Sequence, residues 1–420
     1  MNILKILILL LALCRAPLFL VIGAFALLSF ASADIDISVV IIEMSRLADT
    51  PLLVSLPLFI FAGILLSESK APSRMLHFSQ IFLGWLPGGL AVITLLVCAI
   101  FTAFTGASGV TIFALGGLLL PALKKDGYGD RFSMGLITSS GSLGLLFPPS
   151  LPLIIYGVIA EVRIDHLFLA GILPGVVMLL LLMAYALIKS PPRQMRRGFS
   201  TSERWQGLKE VGWELPLPVI LLGGIYGGIF VPAEAAAVTA LYVLLVEVGI
   251  HRDIGLRQLP EVMSKSMVLF GGILVILAAA MASTNYLIDQ QIPSRLFDFI
   301  QRYIDSKYTF LLLLNVFLLI VGAMLDIFSA LVLIVPIILP IAVGYGVDPL
   351  HLGIIFLTNL QIGYCTPPVG LNLFLASYRF ERPVTELYRA TLPFLGLLLI
   401  TLLLITYFPW LSMVLIDLFG

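Results

Sequence analysis

The sequence predicts an all-α polytopic membrane protein made of two repeats, each with a re-entrant hairpin and a broken helix. Three observations support this fold class: an apolar composition, two helix-breaking motifs inside apolar segments, and a register that relates the two halves. Of the 420 residues, 60% are hydrophobic and 11% are charged, with a mean hydropathy of +1.10. Charged residues make up about a quarter of a typical soluble domain.

The helix-breaking motifs are Gly-Leu-Leu-Phe-Pro-Pro, which starts at Gly144, and Gly-Tyr-Cys-Thr-Pro-Pro, which starts at Gly363. In a helix interior a glycine costs about 1 kcal/mol and a proline about 3 kcal/mol. A glycine with two adjacent prolines therefore interrupts the helix. Free backbone groups in a bilayer are costly unless they are buried in protein or line a wet cavity. The motifs indicate two places where backbone polarity is used.

A constant offset in residue number relates the two halves and carries Gly144 to Gly363. The same offset pairs Pro121 with Pro340, Gly127 with Gly346, Pro148 and Pro149 with Pro367 and Pro368, and Pro174 with Pro393. A second match, of Pro72-Ser73-Arg74 with Pro293-Ser294-Arg295, has an offset that is larger by two, which a short indel explains. The chain is therefore interpreted as two homologous halves.

The composition argues against several classes of protein. The 24 basic and 24 acidic residues balance, and no basic stretch or nucleic-acid-binding motif occurs, so we expect no nucleic-acid partner. Cys14, Cys98 and Cys365 lie in apolar runs without metal or disulfide spacing. No phosphate-binding Gly-x-x-x-x-Gly-Lys-[Ser/Thr] motif occurs. The chain itself is therefore not expected to hydrolyse ATP.

The first apolar run covers residues 6–30 and is interrupted only by Arg15. A signal-peptide core spans about 7 to 15 residues, so this run is too long for one, although Ala31-Ser32-Ala33 resembles a cleavage site. We expect a retained first transmembrane helix, kinked near Pro17.

Four apolar segments and one amphipathic arm follow in the first half. Residues 51–66 are a span, and residues 67–80 are an amphipathic arm along the membrane interface. Residues 88–123 are uncharged, too long for one span of about 20 residues, and interrupted near Gly106, so they form two helices or one broken helix. Residues 132–160 carry the first motif at their centre, and two half-length helices around it predict a re-entrant hairpin. Residues 167–188 are another span.

The second half repeats this plan after the most basic loop, at residues 189–214, which the positive-inside rule places in the cytoplasm. Its predicted elements are apolar segments at 215–230 and 233–248, a span at 267–287, a second arm at 293–303, a long apolar run at 308–343, the second motif within 350–378, and a last span at 392–410. Whether the halves are parallel or inverted depends on how many times residues 88–123 and residues 215–248 cross the membrane. Hydropathy does not decide this number.

Paired repeats with broken helices point to a transporter site near the bilayer midplane. Half-helix N-termini there face anionic groups, and free carbonyls with helix C-termini bind a cation. The expected sodium ligands at the first break are Thr105, Ser108, Gly144 and the carbonyls of Phe147 and Pro148. Those at the second break are Gly322, Gly363, Thr366 and Val369. The alternative is that both breaks are only kinks that let helices pack closely.

Polar side chains near the breaks are candidates for binding a polar substrate. Asp326 is the single charge in the run 308–343, and an ionisable group at membrane depth is a functional candidate. The alternative role for Asp326 is a helix cap. Asn359 and Asn372 flank the second break and Ser142 precedes the first, so these residues bond either a substrate or each other.

Two other functions compete with a transporter. A channel needs a continuous pore, usually lined by rings of groups from several subunits, whereas this chain has two equivalent breaks in one polypeptide. Gly106-Ala107-Ser108-Gly109 matches the Gly-x-Ser-Gly of rhomboid intramembrane proteases, whose serine needs a histidine base. All four histidines fall in or beside predicted loops and arms, so we expect no enzyme.

Several motifs resemble the large membrane subunit of tripartite ATP-independent periplasmic (TRAP) transporters, and the resemblance covers nearly the whole chain. They are Gly-Gly-Ile-Phe-Val-Pro-Ala-Glu-Ala-Ala-Ala-Val at 227–238, Phe-Leu-Ala-Gly-Ile-Leu-Pro-Gly at 168–175, Thr-Pro-Pro-Val-Gly-Leu-Asn at 366–372, and the segment 143–152. The resemblance implies inverted halves and an elevator mechanism, in which a domain with both hairpins slides against a scaffold.

The resemblance also implies a domain organisation. Residues 1–87 would be scaffold helices and the first arm, 88–188 the first half of the transport domain with its hairpin, and 189–214 the cytoplasmic loop. Residues 215–307 would be scaffold helices and the second arm, and 308–420 the second half of the transport domain with its hairpin.

The implied activity is sodium-driven import of an organic acid, such as a C4-dicarboxylate or a sugar acid, across the bacterial inner membrane. The sodium sites would lie at the two breaks, with Na⁺ as the coupling ion and no cofactor. The implied partners are a small four-helix membrane subunit, a soluble periplasmic binding protein that delivers the substrate, and the lipid bilayer.

Overall fold

A computed structural model describes residues 16–33, 35–46, 51–83, 88–191 and 201–419. Every regular element in these ranges is helical, as predicted. The first half contains α1 (Leu18–Ser32), α2 (Ser38–Arg46), α3 (Ser55–Glu68), α4 (Ala71–Leu83), α5 (Gly89–Thr105), α6 (Ser108–Lys125), α7 (Asp130–Ser140), α8 (Leu151–Ile159) and α9 (Ile164–Ile188). A 3-10 turn at Leu143–Leu146 lies between α7 and α8.

The second half begins after α10 (Thr201–Glu210), a short helix inside the predicted basic loop. Its helices are α11 (Pro216–Tyr226), α12 (Pro232–Leu244), α13 (Leu259–Asp289), α14 (Ile292–Gln301), α15 (Lys307–Met324), α16 (Ile327–Gly344), α17 (Pro349–Gly363), α18 (Leu371–Phe380), α19 (Val384–Tyr407) and α20 (Trp410–Phe419). Among the described residues, seven helices are long and apolar enough to cross a membrane, or eight if α7 and α8 form one span.

The repeat register holds for the helices themselves. The offset that carries Gly144 to Gly363 also carries the first residue of α6, Ser108, to the first residue of α16, Ile327, and each of these helices has 18 residues. It likewise carries the start of α7 to the start of α17, and the end of α9 to the end of α19. The glycine and proline matches in the sequence therefore mark two copies of one structural unit.

Helices α5 and α6 form a hairpin, called hairpin 1, that reverses at Gly106 and Ala107. The hydroxyl oxygens of Thr102 and Thr111 lie 2.6 Å apart across the turn, whereas nine residues of continuous helix would separate them by about 13 Å. Gly106 has φ +65°, a conformation that glycine adopts readily. Residues 88–123, for which the sequence allows two helices or one broken helix, therefore form two antiparallel helices.

Both ends of hairpin 1 lie at the same end of α9. Gly88, which precedes α5, packs against Leu187 and Ser190, and Gly127, which follows α6, faces Pro191. Because the two ends share one side and the tip lies about 26 Å of helix away, hairpin 1 enters and leaves on the same side. This side carries the basic loop.

The first Gly-x-x-x-Pro-Pro motif lies in a broken span, so the prediction of a re-entrant hairpin at residues 132–160 is wrong in its placement. The segments Asp130–Leu146 and Leu151–Ile159 bend by only 44° at the break. Pro148 and Pro149 remove backbone donors and stop the helix, but the chain then continues in a similar direction. Each half contains one hairpin and one broken helix, as expected, with the two segments exchanged. We call α7 with α8 broken span 1 and α17 with α18 broken span 2.

Helices α15 and α16 form the equivalent hairpin 2, whose ends also meet. Lys307 Nζ, at the start of α15, donates to the carbonyl oxygen of Gly346, just beyond α16, at 2.5 Å. The hydroxyl of Tyr345 donates to the carbonyl oxygen of Ile304 at 2.7 Å. The two hairpins are therefore built alike.

The two halves are inverted, because the equivalent helices α9 and α19 run in opposite directions. Helix α9 ends beside the base of hairpin 1, at Leu187. Helix α19 begins on that side, where Arg382 pairs with Asp130 at 3.5 Å. It ends beside the base of hairpin 2, where the Tyr407 hydroxyl donates to the carbonyl oxygen of Tyr308 at 3.3 Å. These contacts decide the relative orientation of the two halves, which hydropathy leaves open.

The halves also interlock. Helix α18 packs against α6, and its equivalent α8 packs against α16, so each hairpin holds the second leg of the other half's broken span. Gly109 on α6, for example, lies directly under the side chain of Leu375 on α18. One hydrophobic core continues through both halves. The hairpins and broken spans therefore form a single packed body.

The first arm, α4, is fastened to the remaining helices by Arg74. Its guanidinium bonds Glu214 at 2.5 Å, Glu247 at 2.8 Å and also Asp253, all with mostly buried side chains. Burial acts to raise the pKa of Asp253, but hydrogen bonds from Arg74 and from the Lys70 N–H outweigh it and hold that pKa below its usual range. The second arm, α14, has no such anchor, because its equivalent Arg295 is exposed.

Some predictions fall partly outside the described residues. Residues 1–15 of the predicted first span and residues 192–200 of the basic loop are among these, and so is Cys14. Cys98 and Cys365 are free and buried, consistent with packing residues.

Candidate functional site

The two breaks are held by the same backbone-to-backbone contact. A Cβ added to Gly144 would lie 2.2 Å from the carbonyl oxygen of Ala99 and 2.4 Å from Ala103 N, both on α5. A Cβ added to Gly363 would lie 2.5 Å from the carbonyl carbon of Gly322 on α15. Each motif needs its glycine because the first leg of a hairpin lies directly against the broken span.

The tip of hairpin 1 carries the side chains predicted for the first sodium site. Thr105 is the last residue of α5, and its buried hydroxyl oxygen has no hydrogen-bond partner among the described residues. Ser108 is the first residue of α6, and its hydroxyl donates to Asn372 Oδ1 at 2.7 Å. One turn below the tip, Thr102 Oγ1 donates to the carbonyl oxygen of Gly141 at 2.9 Å. These contacts join the tip to both broken spans.

The backbone residues of the first predicted site lie beside this tip. Gly144 is in the 3-10 turn against α5, and Phe147 follows it in an extended conformation with its ring over Gly175. Pro148 follows Phe147 in the non-helical segment that leads to Leu151, and Leu151 packs on Gly106. The structure therefore brings the segments of the first predicted site together, and ion binding there stays a prediction.

The second break is joined to the tip of hairpin 2 by two hydrogen bonds. The N–H of Gly370 donates to the carbonyl oxygen of Ala323 at 3.0 Å, and the N–H of Ile327 donates to the Tyr364 hydroxyl oxygen at 2.5 Å. Tyr364 lies within the second motif, but nothing in its sequence position indicates that it caps a neighbouring helix. Sequence reasoning missed it for that reason.

The residues of the second predicted site gather around the same contacts. Gly322 and Gly363 touch through their backbones. The Thr366 hydroxyl is half-buried and donates at 2.9 Å to the carbonyl oxygen of Ile362, near the end of the preceding helix α17. Val369 is exposed. A hydroxyl that donates one hydrogen bond keeps lone pairs that can accept or coordinate, so the prediction for Thr366 is compatible with this geometry.

Asp326 has the geometry of a helix cap, which is the alternative weighed for it above. It precedes α16, and its Oδ2 accepts a hydrogen bond from the N–H of Ser329 at 3.0 Å. The side chain is exposed. Aspartate is among the best N-cap residues because its carboxylate meets the free donors and the positive end of the helix. A role in substrate binding stays a prediction.

The two hairpin tips differ in whether a side chain caps the helix that follows. Ala107 stands where hairpin 2 has Asp326, and the N-terminus of α6 has no side-chain cap. The N-terminus of α16 is capped by Asp326, and Tyr364 takes a further donor. The free N–H groups at the tip of hairpin 1 are therefore the more available donors for an anion.

The four predicted substrate residues fall in separate places. Asn372 bonds Ser108 at the tip of hairpin 1, and Asp326 caps hairpin 2. Ser142 Oγ donates to the carbonyl oxygen of Gln361 at 3.3 Å. Asn359 is buried in a polar cluster with Asn315. Because Ser142 and Gln361 are themselves repeat equivalents, their contact lies where the two halves meet.

The protease alternative has no support at its proposed serine. Ser108 is bonded to Asn372 and not to a histidine. His351 is buried within α17 of broken span 2, and its ring nitrogens face Ser412 Oγ and the carbonyl oxygen of Thr406, not Ser108.

The arrangement of paired hairpins and broken spans has known relatives. The family described as "Tripartite ATP-independent periplasmic transporter, DctM component" matches residues 4–411. The chain belongs to this family. It is 35% identical over 402 residues to the C4-dicarboxylate TRAP transporter large permease protein DctM of Pseudomonas aeruginosa, covering 95% of this chain and 93% of that protein. It is 32% identical to the sialic acid TRAP transporter large permease protein SiaM of Vibrio cholerae, covering 87% of this chain and 86% of that one.

Two further likenesses concern partners and fold. The chain is 36% identical to the isethionate TRAP transporter permease protein DctMQ of Oleidesulfovibrio alaskensis, covering 86% of this chain but only 57% of that longer protein. The YdaH transporter of Alcanivorax borkumensis shares the fold, with a TM-score of 0.60 at 16% identity and coverage of 89% of this chain and 87% of that one. Family membership makes this chain a multi-pass inner-membrane TRAP permease, a transporter subunit and not an enzyme.

Proposed function

We propose that this permease imports an organic acid and that an inward sodium gradient drives the import. The named substrates of similar permeases are C4-dicarboxylates, sialic acid, isethionate and ectoine. Each of these carries an acidic group. The substrate of this chain is therefore a small carboxylate or related acid, with a C4-dicarboxylate or a sugar acid as the first compounds to test.

The observation that carries the proposal is the pair of helix reversals packed against broken spans. Each reversal places a helix C-terminus next to a helix N-terminus, at Thr105 with Ser108 and at Met324 with Ile327. Helix C-termini attract cations and N-termini attract anions. A body that carries both kinds of terminus at each of its two hairpin tips suits the binding of a sodium ion together with an acid.

For sodium, we propose the two breaks as the binding sites. The first uses Thr105, Ser108, Gly144, Phe147 and Pro148, and the second uses Gly322, Gly363, Thr366 and Val369. The buried and unpartnered hydroxyl oxygen of Thr105 supports the first, since a buried polar atom without a partner costs about 1–3 kcal/mol unless a ligand satisfies it. Hydroxyl and carbonyl oxygens with free lone pairs are the ligands that a hard cation such as sodium prefers.

For the acid, the uncapped N-terminus of α6 supports a position at the tip of hairpin 1. The capping carboxylate of Asp326 makes the tip of hairpin 2 the less favourable place for an anion, since two carboxylates in contact repel each other. Asp326 and Asn372 would instead meet hydroxyl or amide groups of the substrate.

We further propose an elevator mechanism. Hairpins and broken spans form one interlocked body, while α1, α3, α12 and α13 pack mainly against one another. The arm α4 packs on the first leg of hairpin 1 and is tied by Arg74 to Glu247, just beyond α12. The interlocked body would slide as a unit and carry both breaks across the membrane.

The proposed partners are a small membrane subunit and a periplasmic binding protein. The name and extra length of the similar DctMQ protein support a small subunit beside this chain. Because the binding protein would select the substrate, it is the partner to include in any assay.

The test is uptake into proteoliposomes that contain this chain with its small subunit, with the binding protein and labelled acid outside. The proposal predicts saturable accumulation against the acid gradient that stops when sodium is replaced by potassium. Flux that never exceeds equilibration would indicate a channel, and sodium-independent accumulation would remove the coupling ion.

A further inference from the structure

A buried polar cluster ties hairpin 2 to broken span 2. Asn359 Nδ2 on α17 donates to Asn315 Oδ1 on α15 at 2.7 Å and to the carbonyl oxygen of Ile355 at 2.9 Å. Asn315 Nδ2 donates to Thr406 Oγ1 on α19 at 3.0 Å. Asn315 is 3% exposed and Asn359 is fully buried. The cluster therefore links three helices through interior side chains.

The amide orientation of Asn359 follows from its partners. Both groups that face its Nδ2 are acceptors, so exchanging the oxygen and nitrogen would place three acceptors together. In the observed orientation, Asn359 Oδ1 has no hydrogen-bond partner among the described residues. A buried acceptor without a partner destabilises a fold. Stabilisation of the fold therefore does not by itself explain why the cluster contains Asn359.

The other half of the chain is built without this cluster. The repeat register places Leu96 where the second half has Asn315, Ser140 in place of Asn359, and Leu187 in place of Thr406. Hairpin 1 nevertheless packs on broken span 1 through the same glycine contact, at Gly144, with a hydroxyl-to-carbonyl bond from Thr102 to Gly141 beside it. Buried amides are thus not required to assemble this unit, and those of the second half need another reason.

The position of the amides indicates what that reason is. Asn359 lies one helical turn before Gly363, and Asn315 lies two turns before Gly322 on the facing helix. The Asn315–Asn359 bond therefore spans the same helix pair whose backbones meet at Gly322 and Gly363. A directional bond fixes the sliding of one helix along another, which apolar packing fixes less strictly.

We propose that Asn315 and Asn359 are positioning residues that set the register of hairpin 2 against broken span 2 and so fix the geometry of the second sodium site. They act through the Gly322–Gly363 contact and do not themselves bind the ion. This inference rests on the proposed function, because it assigns a role relative to a site at the second break. It makes the second site depend on a pair of buried amides that the first half does not have at the equivalent positions.

The test replaces the two amides with the residues that the first half has there, as Asn315→Leu with Asn359→Ser. The half-saturating sodium concentration is measured by thermal shift on the purified complex with its small subunit, and then by uptake. We expect it to rise about five-fold, the factor that corresponds to the loss of one hydrogen bond of about 1 kcal/mol. The maximal uptake rate per folded transporter should change less than the sodium dependence.

The matched control is Thr401→Val, which removes a buried hydroxyl whose one hydrogen bond within the described residues goes to Leu397 in its own helix. It should leave the half-saturating sodium concentration unchanged. If the double variant is not recovered from the membrane, Asn359→Ser alone carries the test. An unchanged sodium dependence with normal folding would overturn the inference. A wild-type complex without any sodium-dependent shift or uptake would instead overturn the proposed function.

Discussion

Substitution of Gly144 by alanine tests the backbone contact that holds the first break, the counterpart of the Gly363 contact at the second. The added Cβ would lie 2.2 Å from the carbonyl oxygen of Ala99 and 2.4 Å from Ala103 N. Both neighbours are backbone atoms of α5, so no side chain can rotate away, and the 3-10 turn must move outward. Overpacking of this kind costs about 1–3 kcal/mol, and we expect the upper end of that range.

The matched control is Gly396→Ala on α19, where an added Cβ meets nothing within 4 Å. Alanine is favoured over glycine in a helix by about 1 kcal/mol, so this variant should be as stable as the parent or more stable. The assay is thermal unfolding of the purified complex, followed by uptake at saturating sodium. We expect Gly144→Ala to unfold at a lower temperature and to lose most uptake. If both variants unfold alike and transport at the parent rate, the contact at Gly144 is not tight.

Three further substitutions test the site and the scaffold. Thr366→Ala should raise the half-saturating sodium concentration without lowering protein abundance, because it removes one hydroxyl from a backbone cage; an unchanged value in a sodium titration of uptake would remove Thr366 from the site. Asp326→Asn should fold normally, since asparagine caps a helix as well as aspartate does, but should lose most transport; uptake at the parent rate would leave Asp326 a cap only. Arg74→Met should destabilise the protein by about 3–5 kcal/mol, because it leaves buried carboxylates unpaired, whereas Arg295→Met should have little effect; equal membrane abundance of the two variants would contradict the anchor.

The repeat and the positions of its breaks are predictable from the sequence because they depend on local chemistry. Glycine and adjacent prolines interrupt a helix wherever they occur, and the register seen in the pairs Gly144 with Gly363 and Pro174 with Pro393 also relates the helix boundaries. The direction that the chain takes after a break is not predictable in this way. A Pro-Pro pair removes hydrogen bonds but does not specify an angle, so the sequence alone suggests a hairpin at residues 132–160 where the structure has a broken span.

The true reversal at Gly106 depends on contacts distant in sequence. The bond between Thr102 and Thr111 forms only because α5 and α6 fold back on each other. The equivalent turn in the second half, at Leu325 and Asp326, has no glycine, so no shared turn motif marks the two hairpins. The register identifies them as equivalents only once one of them is known.

Some side chains of the site are predictable from local sequence, and others depend on contacts with distant parts of the chain. The cap made by Asp326 is foreseeable, because an aspartate directly before an apolar helix with a free donor three residues on is a local pattern. The partners of Asn359 are not, because α17 is apolar on nearly all sides and buried over most of its length, which leaves no amphipathic phase to indicate a facing helix. The partner of Asn372, on α18, is not foreseeable either, because Ser108 comes from the other half of the chain. Arg74 has the sequence context of a polar face on an interfacial arm, yet three carboxylates from residues 214–253 bury it.

The most direct test of the account is the dependence of the initial uptake rate on sodium concentration in proteoliposomes, with the acid and the binding protein held at saturation. Two equivalent breaks that must both bind sodium predict a sigmoidal dependence with a Hill coefficient above one and at most the number of sites. Loss of the Thr105 hydroxyl in Thr105→Ala should shift this curve to higher sodium. A rate that does not change with sodium would contradict sodium-driven import, and a hyperbolic curve would indicate a single coupled sodium site.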